Sequence, residues 1–499
     1  MPLDPALLPA RNLERSFQKS PRLAFALLAT VQVTLILAIT VTAIALPALG
    51  AELGLRSGQL ALVSAGYGLA FGGLLLLGGR LADLLGPRRM LIIGLAGFGL
   101  ASAAAGLSPD FWRLLGSRLA QGTGAALAAP AAMALLRDVY PDRDRHARAV
   151  ALWGGLAPLG ATAGIALSGV AATWGSWRWA FALPAAVAAV AAVAAMAAPR
   201  LLPPGAPPTP AKLDLPGALL ATLGIATISY GLVTAGDQGW ASRGTVISLL
   251  AGTVVLAGFV TVEYRSAAPL VPLRFLRSTR RVAGLAALAM AAAGHASIGF
   301  FLALYLQQVR GLSPLVTTAA FLPFLLTLPL AGSAATRLLT RFPPYAVATG
   351  GLVTAAAGLL LLGQLAVDTP YAGTLLAGLL VFPAGAALTF AAATVVAVQD
   401  APAHQGGLAA GLVNTAVELG PTLGLALLVS LAGTRTAGLL DAGHPLPAAT
   451  SGGYGFALDV AAAGFTVAAA GTFWWGRRRS PQPTTGICSP QPTTEGENP

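Results

Sequence analysis

Gly79 to Arg89 read GRLADLLGPRR. The stretch lies between two apolar runs, each long enough to cross a bilayer, and gathers its charged and turn-forming residues into one tight connection. Asp83 falls just past the end of the first run, and Gly86-Pro87 enforces a turn. Arg88 and Arg89 then set two cations where anionic headgroups and the positive-inside bias favour them. Alone, a G-x-x-x-D-x-x-G pattern is weak. Between two spanning helices it is a strong signal.

Composition points the same way. Of 499 residues, 56% are hydrophobic and only 10% charged, where a soluble domain carries about 25% charged residues. Apolar windows recur almost end to end, each able to form a helix across a ~30 Å hydrocarbon core. Alternating strand patterning is absent, so helices rather than a barrel must satisfy the backbone. The single cysteine, Cys488, lies in the tail and excludes a disulfide framework or a cysteine metal site.

Residues 1–22 are polar and basic. The run that follows, to about Leu49, exceeds the 7–15 residues of a signal-peptide core and is read as a retained first span. A six-span bundle is expected over 23–198, with spans at 23–49, 58–79, 89–107, 112–136, 147–172 and 178–198. A Pro-rich linker occupies 199–214. Two additional spans (215–235 and 244–263) fill 215–263, and a basic connection covers 264–281. A second six-span bundle, 282–475, has spans near 282–307, 314–338, 345–366, 371–397, 406–432 and 454–475. The tail, 476–499, repeats SPQPTT and is expected to be disordered. The expectation is an all-α polytopic membrane protein with fourteen transmembrane helices.

Charge placement orients the chain. With both termini cytoplasmic, 23 Lys and Arg fall on the inner side and six on the outer, Arg118 inside a span being the last of 30. The net charge of +12 is thus a cytoplasmic membrane surface, and nucleic-acid binding is excluded. A faint repeat relates the halves: TRLLTRFPPY, Thr336 to Tyr345, stands where RLADLLGPRR stands in the first half. Such repeats suggest transport at their interface.

GRLADLLGPRR, RLLGSRLAQGTGAALAAP (113–130), GWASRG, PLVPLRFL, LALYLQQVRGLSPL and GLAAGLVNTA resemble signatures of the major facilitator superfamily. The six-two-six arrangement resembles its fourteen-helix drug:proton antiporter subgroup. That resemblance implies a major-facilitator fold and a cytoplasmic latch between the halves at Gly79, Asp83, Gly86, Arg88 and Arg89, although Leu84 stands where a basic residue is common. It also implies a central cation at Arg118. The sequence departs from the pattern twice. The subgroup's helix 1 acid, seven positions before Ala45-Leu46-Pro47, is Ala38, and its helix 5 signature has Ile165 for proline and Ser168 for glycine.

A charge at the bilayer centre costs about 2.5–3.5 kcal/mol on insertion scales, so intramembrane ionisable residues are informative. Arg118 shares a helical face with Gln121 and Gly122; it faces a cavity and senses a carboxylate, or it is a structural arginine bonded to carbonyls. Thr30, Thr34, Ala38 and Thr42 recur along one face of the first span. They line a polar passage, or they bond their own i−4 carbonyls. Glu418, beside Gly420-Pro421, is a candidate proton carrier or a tolerated buried acid. His295 can switch or pack, and Asp459 is read as interfacial and solvated. Glycines at 68, 72 and 73, and at 160, 164 and 169, suggest close helix contact.

No Walker A sequence is present, which speaks against ATP-driven export by this chain. No catalytic constellation emerges, four scattered histidines make no metal site, and no cofactor is expected. The expected function is secondary active export of a drug-like or natural-product solute by alternating access, coupled to protons. The expected partners are a small-molecule substrate, protons and the bilayer, and the chain is taken as a monomer in the plasma membrane. Two alternatives stay open: a gradient-independent facilitator or uptake transporter, favoured by Ala38 and Ile165, and a non-transporting receptor or scaffold. An arginine without its acid further suggests anionic or neutral polar cargo.

Overall fold

A computed structural model describes residues 21–142, 176–197, 214–266, 273–399 and 406–477, with positions 145, 149, 152, 153, 156, 160, 164, 167, 202, 269 and 271. Outside them lie the N-terminal segment, Ile165, Ser168 and Gly169, nearly all of the linker, and the tail beyond Arg477. Most of the expected fifth span is also outside. Among the described residues, thirteen helices are long and apolar enough to cross a membrane.

Five helices come from the first half: α1 (Pro21–Leu53), α2 (Ser57–Leu85), α3 (Pro87–Gly106), α4 (Phe111–Val139) and α5 (Trp179–Ala197). The inserted pair is α6 (Leu215–Gln238) and α7 (Arg243–Arg265). After a short 3-10 turn come α8 (Thr279–Leu304), the pair α9 (Pro314–Ala320) and α10 (Leu322–Leu339), and α11 (Pro344–Gly363). The chain ends with α12 (Leu376–Val398), α13 (Gly406–Asp441) and α14 (Leu446–Gly476). π-helical turns extend α8 through Tyr305–Val309 and precede α12 at Tyr371–Leu375.

Caps set several starts. Asp110 accepts from the Arg113 N–H at 3.0 Å to open α4, and Asp214 accepts from Gly217 at 2.9 Å to open α6. Ser242, Ser278 and Ser313 do the same for α7, α8 and α9. Between α2 and α3 a single residue is non-helical. Gly86 has φ 90°, a left-handed value that glycine accepts without strain, and Pro87 begins α3 where its missing N–H costs nothing. The expected loop at 79–89 is therefore helix on both sides of one hinge, and Asp83 lies in the last turn of α2 rather than beyond it.

Two further boundaries differ from expectation. α13 runs to Asp441 instead of about 432, and α14 starts at Leu446 instead of 454. Hydropathy detects only the apolar part of a helix, and these helices carry polar turns past it. Asp459 consequently sits thirteen residues into α14, about 20 Å along its axis at 1.5 Å per residue. It lies exposed against Gly363 of α11. The helix thus begins about two turns earlier than expected, and Asp459 meets α11 at that helix's last residue.

Small residues set the packing within each half. A methyl group on Gly124 of α4 would fall 2.8 Å from the Gly94 carbonyl of α3, and one on Gly358 of α11 would fall 2.6 Å from the Phe382 Cα of α12. Both are contacts between third and fourth spans of their halves, as the internal repeat leads one to expect. Gly160 and Gly164 press on α1, Gly73 on Thr222 of α6 and Gly72 on Glu418 of α13.

Across the halves, α1 meets α8 and α2 meets α13. The C-terminal turns of α1 (Leu46, Leu49) and the first turns of α2 and α4 (Leu60, Val63, Leu114) join one apolar core with α8, α10, α11, α12, α13 and α14. At the other end, that of GRLADLLGPRR, the first half keeps a separate core of its own, including Ala82, Met90, Leu135 and Ala195. The described halves are thus fused at one end and distinct at the other.

Candidate functional site

Arg118 and Gln121 lie one turn apart on α4, and neither side chain is exposed. The guanidinium reaches three acceptors. Its Nε donates to the Val63 carbonyl of α2 at 3.1 Å, and its Nη1 donates to the Ala38 carbonyl of α1 at 3.3 Å and to Gln121 Oε1 at 2.6 Å. Gln121 Nε2 in turn donates to Ser102 Oγ of α3 at 2.7 Å. The ring of Tyr67 lies 5.1 Å from the guanidinium carbon and that of Phe181 lies 5.9 Å away. The Tyr67 hydroxyl donates to the Leu35 carbonyl at 3.1 Å.

This cage draws on α1, α2, α3, α4 and α5 at once. It holds a full positive charge with carbonyl and amide dipoles and two aromatic faces, with no carboxylate among the described residues. Nη2 has no hydrogen-bond partner among the described residues. A buried cation so held is under-compensated, since each missing partner leaves a desolvation cost of about 1–3 kcal/mol or more for a charged group. An anion arriving at Nη2 would relieve it.

Of the two readings of the threonine stripe, this conformation matches self-bonding. Thr34 donates to Thr30 at 2.7 Å and Thr42 to Ala38 at 3.3 Å, each to its own i−4 carbonyl. Thr34, Ala38 and Thr42 are buried, and Ala38 belongs to the apolar core of the first half. They line no open passage here, because the fused end of the molecule leaves α1 packed on its neighbours. The sequence brought together Arg118, Gln121 and Ala38. It missed Tyr67 and Ser102; the one available signal was a hydroxyl-bearing ring between Gly66 and Gly68 in an apolar run.

Glu418 lies elsewhere. It stands on α13 against α2, where a methyl on Gly72 would fall 2.7 Å from its Cβ. No hydrogen bond or ion pair joins Glu418 to Arg118 among the described residues. α13 continues unbroken through Pro421. His295 of α8 packs edge-on against Phe324 with centroids 5.0 Å apart, and its Nδ1 is buried without a partner among the described residues.

At the expected latch, Arg88 is tied within its own half. Its Nη2 donates to the Ala195 carbonyl at 2.9 Å, at the C-terminus of α5, where the helix dipole favours a cation. Asp83 and Arg89 are exposed and make no hydrogen bond or ion pair among the described residues. Gly79 lies 3.8 Å, measured from an added Cβ, from Pro130 of α4. The latch residues therefore gather at the end where the halves keep separate cores, and they do not bridge it in this conformation.

Comparisons with known proteins agree with this architecture. The family model described as Major Facilitator Superfamily matches residues 28–425. The puromycin resistance protein pur8 of Streptomyces alboniger is 35% identical over 442 residues, covering 88% of this chain and 86% of that protein. The cephamycin export protein CmcT of Amycolatopsis lactamdurans is 33% identical over 404 residues, covering 80% and 82%. Among solved structures, the POT family transporter PepTSo superposes with a TM-score of 0.67 at 17% identity, over 91% of this chain and 97% of that one, a likeness of fold alone.

Proposed function

The chain belongs to the Major Facilitator Superfamily, and from that premise we propose that it exports a small drug-like or natural-product solute across the plasma membrane by alternating access. The observation that carries the mechanism is the asymmetry of its core: one apolar core runs through both halves at one end, and separate cores lie at the other. With the termini cytoplasmic, as the arginine distribution supports, the fused end is extracellular and this conformation is closed to the outside. Rocking the halves would open that end and bring the latch residues Gly79, Asp83, Gly86, Arg88 and Arg89 against the second half. The names of the relatives, a puromycin resistance protein and a cephamycin exporter, support a natural-product cargo and outward direction.

Arg118 and Gln121 form the polar centre of the first half in this reading, and Glu418 is the exchangeable acid between the halves. His295 lines the second half as an aromatic-packed polar group. Thr34, Ala38 and Thr42 face the passage only when the outer end parts. The cycle moves a proton against the solute, the chain acts without a cofactor, and it works as a monomer of two bundles (23–198 and 282–475) with α6 and α7 inserted.

A second reading, gradient-independent facilitation, is favoured by one observation: Arg118 is held by carbonyls and an amide rather than by a titratable acid. Proteoliposomes containing the purified chain decide between them. With puromycin as first probe and related antibiotics after it, uptake into inside-out vesicles should rise severalfold on imposing an acidic lumen. Equal uptake with and without the gradient supports the facilitator, and none for any compound overturns export.

A further inference from the structure

The inserted helix α6 crosses the seam between the halves at a slant. Near its start it packs on α2: Ala218 clusters with Leu77, and a methyl on Gly73 would fall 3.2 Å from Thr222 Cβ. Near its end it packs on α13: a methyl on Gly236 would fall 2.7 Å from Ser430 Cα. The two contact points are separated by 18 residues, about 27 Å along the helix. A helix that closes on α2 at one end and on α13 at the other must part from α2 in between.

In that wedge is a cavity of about 270 Å³, walled by α2, α4, α6 and a single turn of α13. Leu62 and Leu69 of α2 and Leu115 of α4 make its floor apolar. Tyr230 of α6, 45% exposed, stands where the wedge opens outward. Arg118 points away from it, toward α1, so the wedge is separate from the arginine cage.

One polar group inside the wedge is unpaired. Ser229 is 2% exposed, lines the cavity, and its Oγ has no hydrogen-bond partner among the described residues. Of the other three hydroxyl side chains of the lining, two are satisfied by their own helices, Thr227 donating to Leu223 at 2.7 Å and Thr422 to Glu418 at 3.1 Å, and the third, that of Tyr230, belongs to a residue 45% exposed. A buried hydroxyl without a partner is costly, and buried polar groups are otherwise paired. We propose that the wedge is a binding site for an apolar molecule bearing one hydrogen-bond acceptor, drawn from the membrane, whose carbonyl oxygen accepts from Ser229 Oγ. Apolar walls and one placed polar group are what small-molecule sites use for affinity and orientation. The acceptor belongs to a dissolved solute or to the ester group of a lipid chain. The inference stands independently of the export reading, because its readout is binding.

Benzophenone is a suitable probe, being an apolar ketone that crosslinks on illumination. The full chain in nanodiscs should show saturable labelling of peptides spanning 62–69 and 226–230. Ser229→Ala should weaken that labelling about two- to tenfold, the worth of one hydrogen bond. Ala226→Phe, which fills the wedge, should abolish it while leaving the thermal unfolding midpoint near wild type. Nanodiscs of diether lipid distinguish the source: labelling that is stronger there than in diester lipid identifies a lipid ester as the natural occupant, and equal labelling identifies a free solute. Labelling that does not saturate, that spreads along the lipid-facing surface of α7, or that is unchanged in both variants overturns the site.

Discussion

Arg118 donates to the main-chain carbonyl of Ala38 at 3.3 Å, the position at which the drug:proton antiporter resemblance places an acid. A backbone dipole therefore occupies the role expected of a carboxylate. The dipole cannot titrate, and it is present in every state of the chain that keeps α1 helical. Arg118 is thereby anchored by α1 and α2 together, and any movement of these helices relative to α4 alters its bonding.

Replacing Arg118 should accordingly do more than remove a charge. Arg118→Lys keeps the charge but presents one ammonium to acceptors arranged for a planar fork. Transport should fall at least tenfold, and Arg118→Ala should also lower stability by a few kcal/mol, roughly 2–4, through the lost network and the space left behind. Transport in proteoliposomes and thermal unfolding of the same preparations check both. Wild-type transport by Arg118→Lys would remove the guanidinium from the mechanism.

Restoring the acid tests cargo charge. Ala38→Asp sets a carboxylate beside Arg118, and neutralising the cation should weaken export of anionic or neutral polar cargo and admit organic cations. The comparison is export of a cationic and an anionic compound by wild type and variant at equal expression. If wild type already moves organic cations well and Ala38→Asp changes nothing, the charge of the first half does not select cargo.

For the coupling step, Glu418→Gln mimics the protonated acid in shape and hydrogen bonding. Gradient-driven export should be lost and solute exchange down its own gradient should persist. The Glu418 Cβ packs against Gly72, so Gly72→Ala should crowd the same seam and slow transport without removing an ionisable group. Full gradient-driven activity of Glu418→Gln would show that the proton travels elsewhere.

The latch is probed at Asp83, exposed and unpaired among the described residues in this conformation. Asp83→Asn should leave membrane insertion and unfolding temperature near wild type, since it breaks no contact seen here, while cutting transport severalfold. Crosslinking of a cysteine pair across the seam should then report a shift toward the conformation closed at the outer end if the latch stabilises the other one.

At the end where the halves share one core, Glu52, beyond the first span, accepts from Trp177 Nε1 at 2.7 Å and from the Arg178 guanidinium. The hydrogen bond to Arg178, above all, holds its carboxyl below the ordinary 4.5, against a small opposing effect of burial. A lowered folded pKa means stabilisation that is complete above the unfolded value and lost as pH falls through the folded one. The pair is exposed, so it contributes only a few tenths of a kcal/mol. Glu52→Gln should lower the unfolding midpoint by at most about 1 °C at pH 7, and the difference should vanish as pH falls through the lowered pKa of the folded carboxyl.

Much of this chain is legible one residue at a time. Helical class and the many spans follow from hydropathy, because the bilayer filters each segment separately. Gly86-Pro87 announced its hinge, since both residues act through backbone geometry that needs no partner. Helix ends beyond the apolar runs were not legible, as in α13 and α14, because hydropathy measures burial in lipid and not helix. Tertiary packing alone decided that Arg118 bonds to carbonyls of Val63 and Ala38, that Tyr67 and Ser102 complete its cage, and that Glu418 meets Gly72 instead. It also decided that α6 slants from α2 to α13 and leaves Ser229, in a cavity, unpaired among the described residues. A backbone carbonyl has no identity in the sequence. Its availability as a partner depends on which helices cross, and at what angle, and those are set by side-chain packing between segments far apart in the chain.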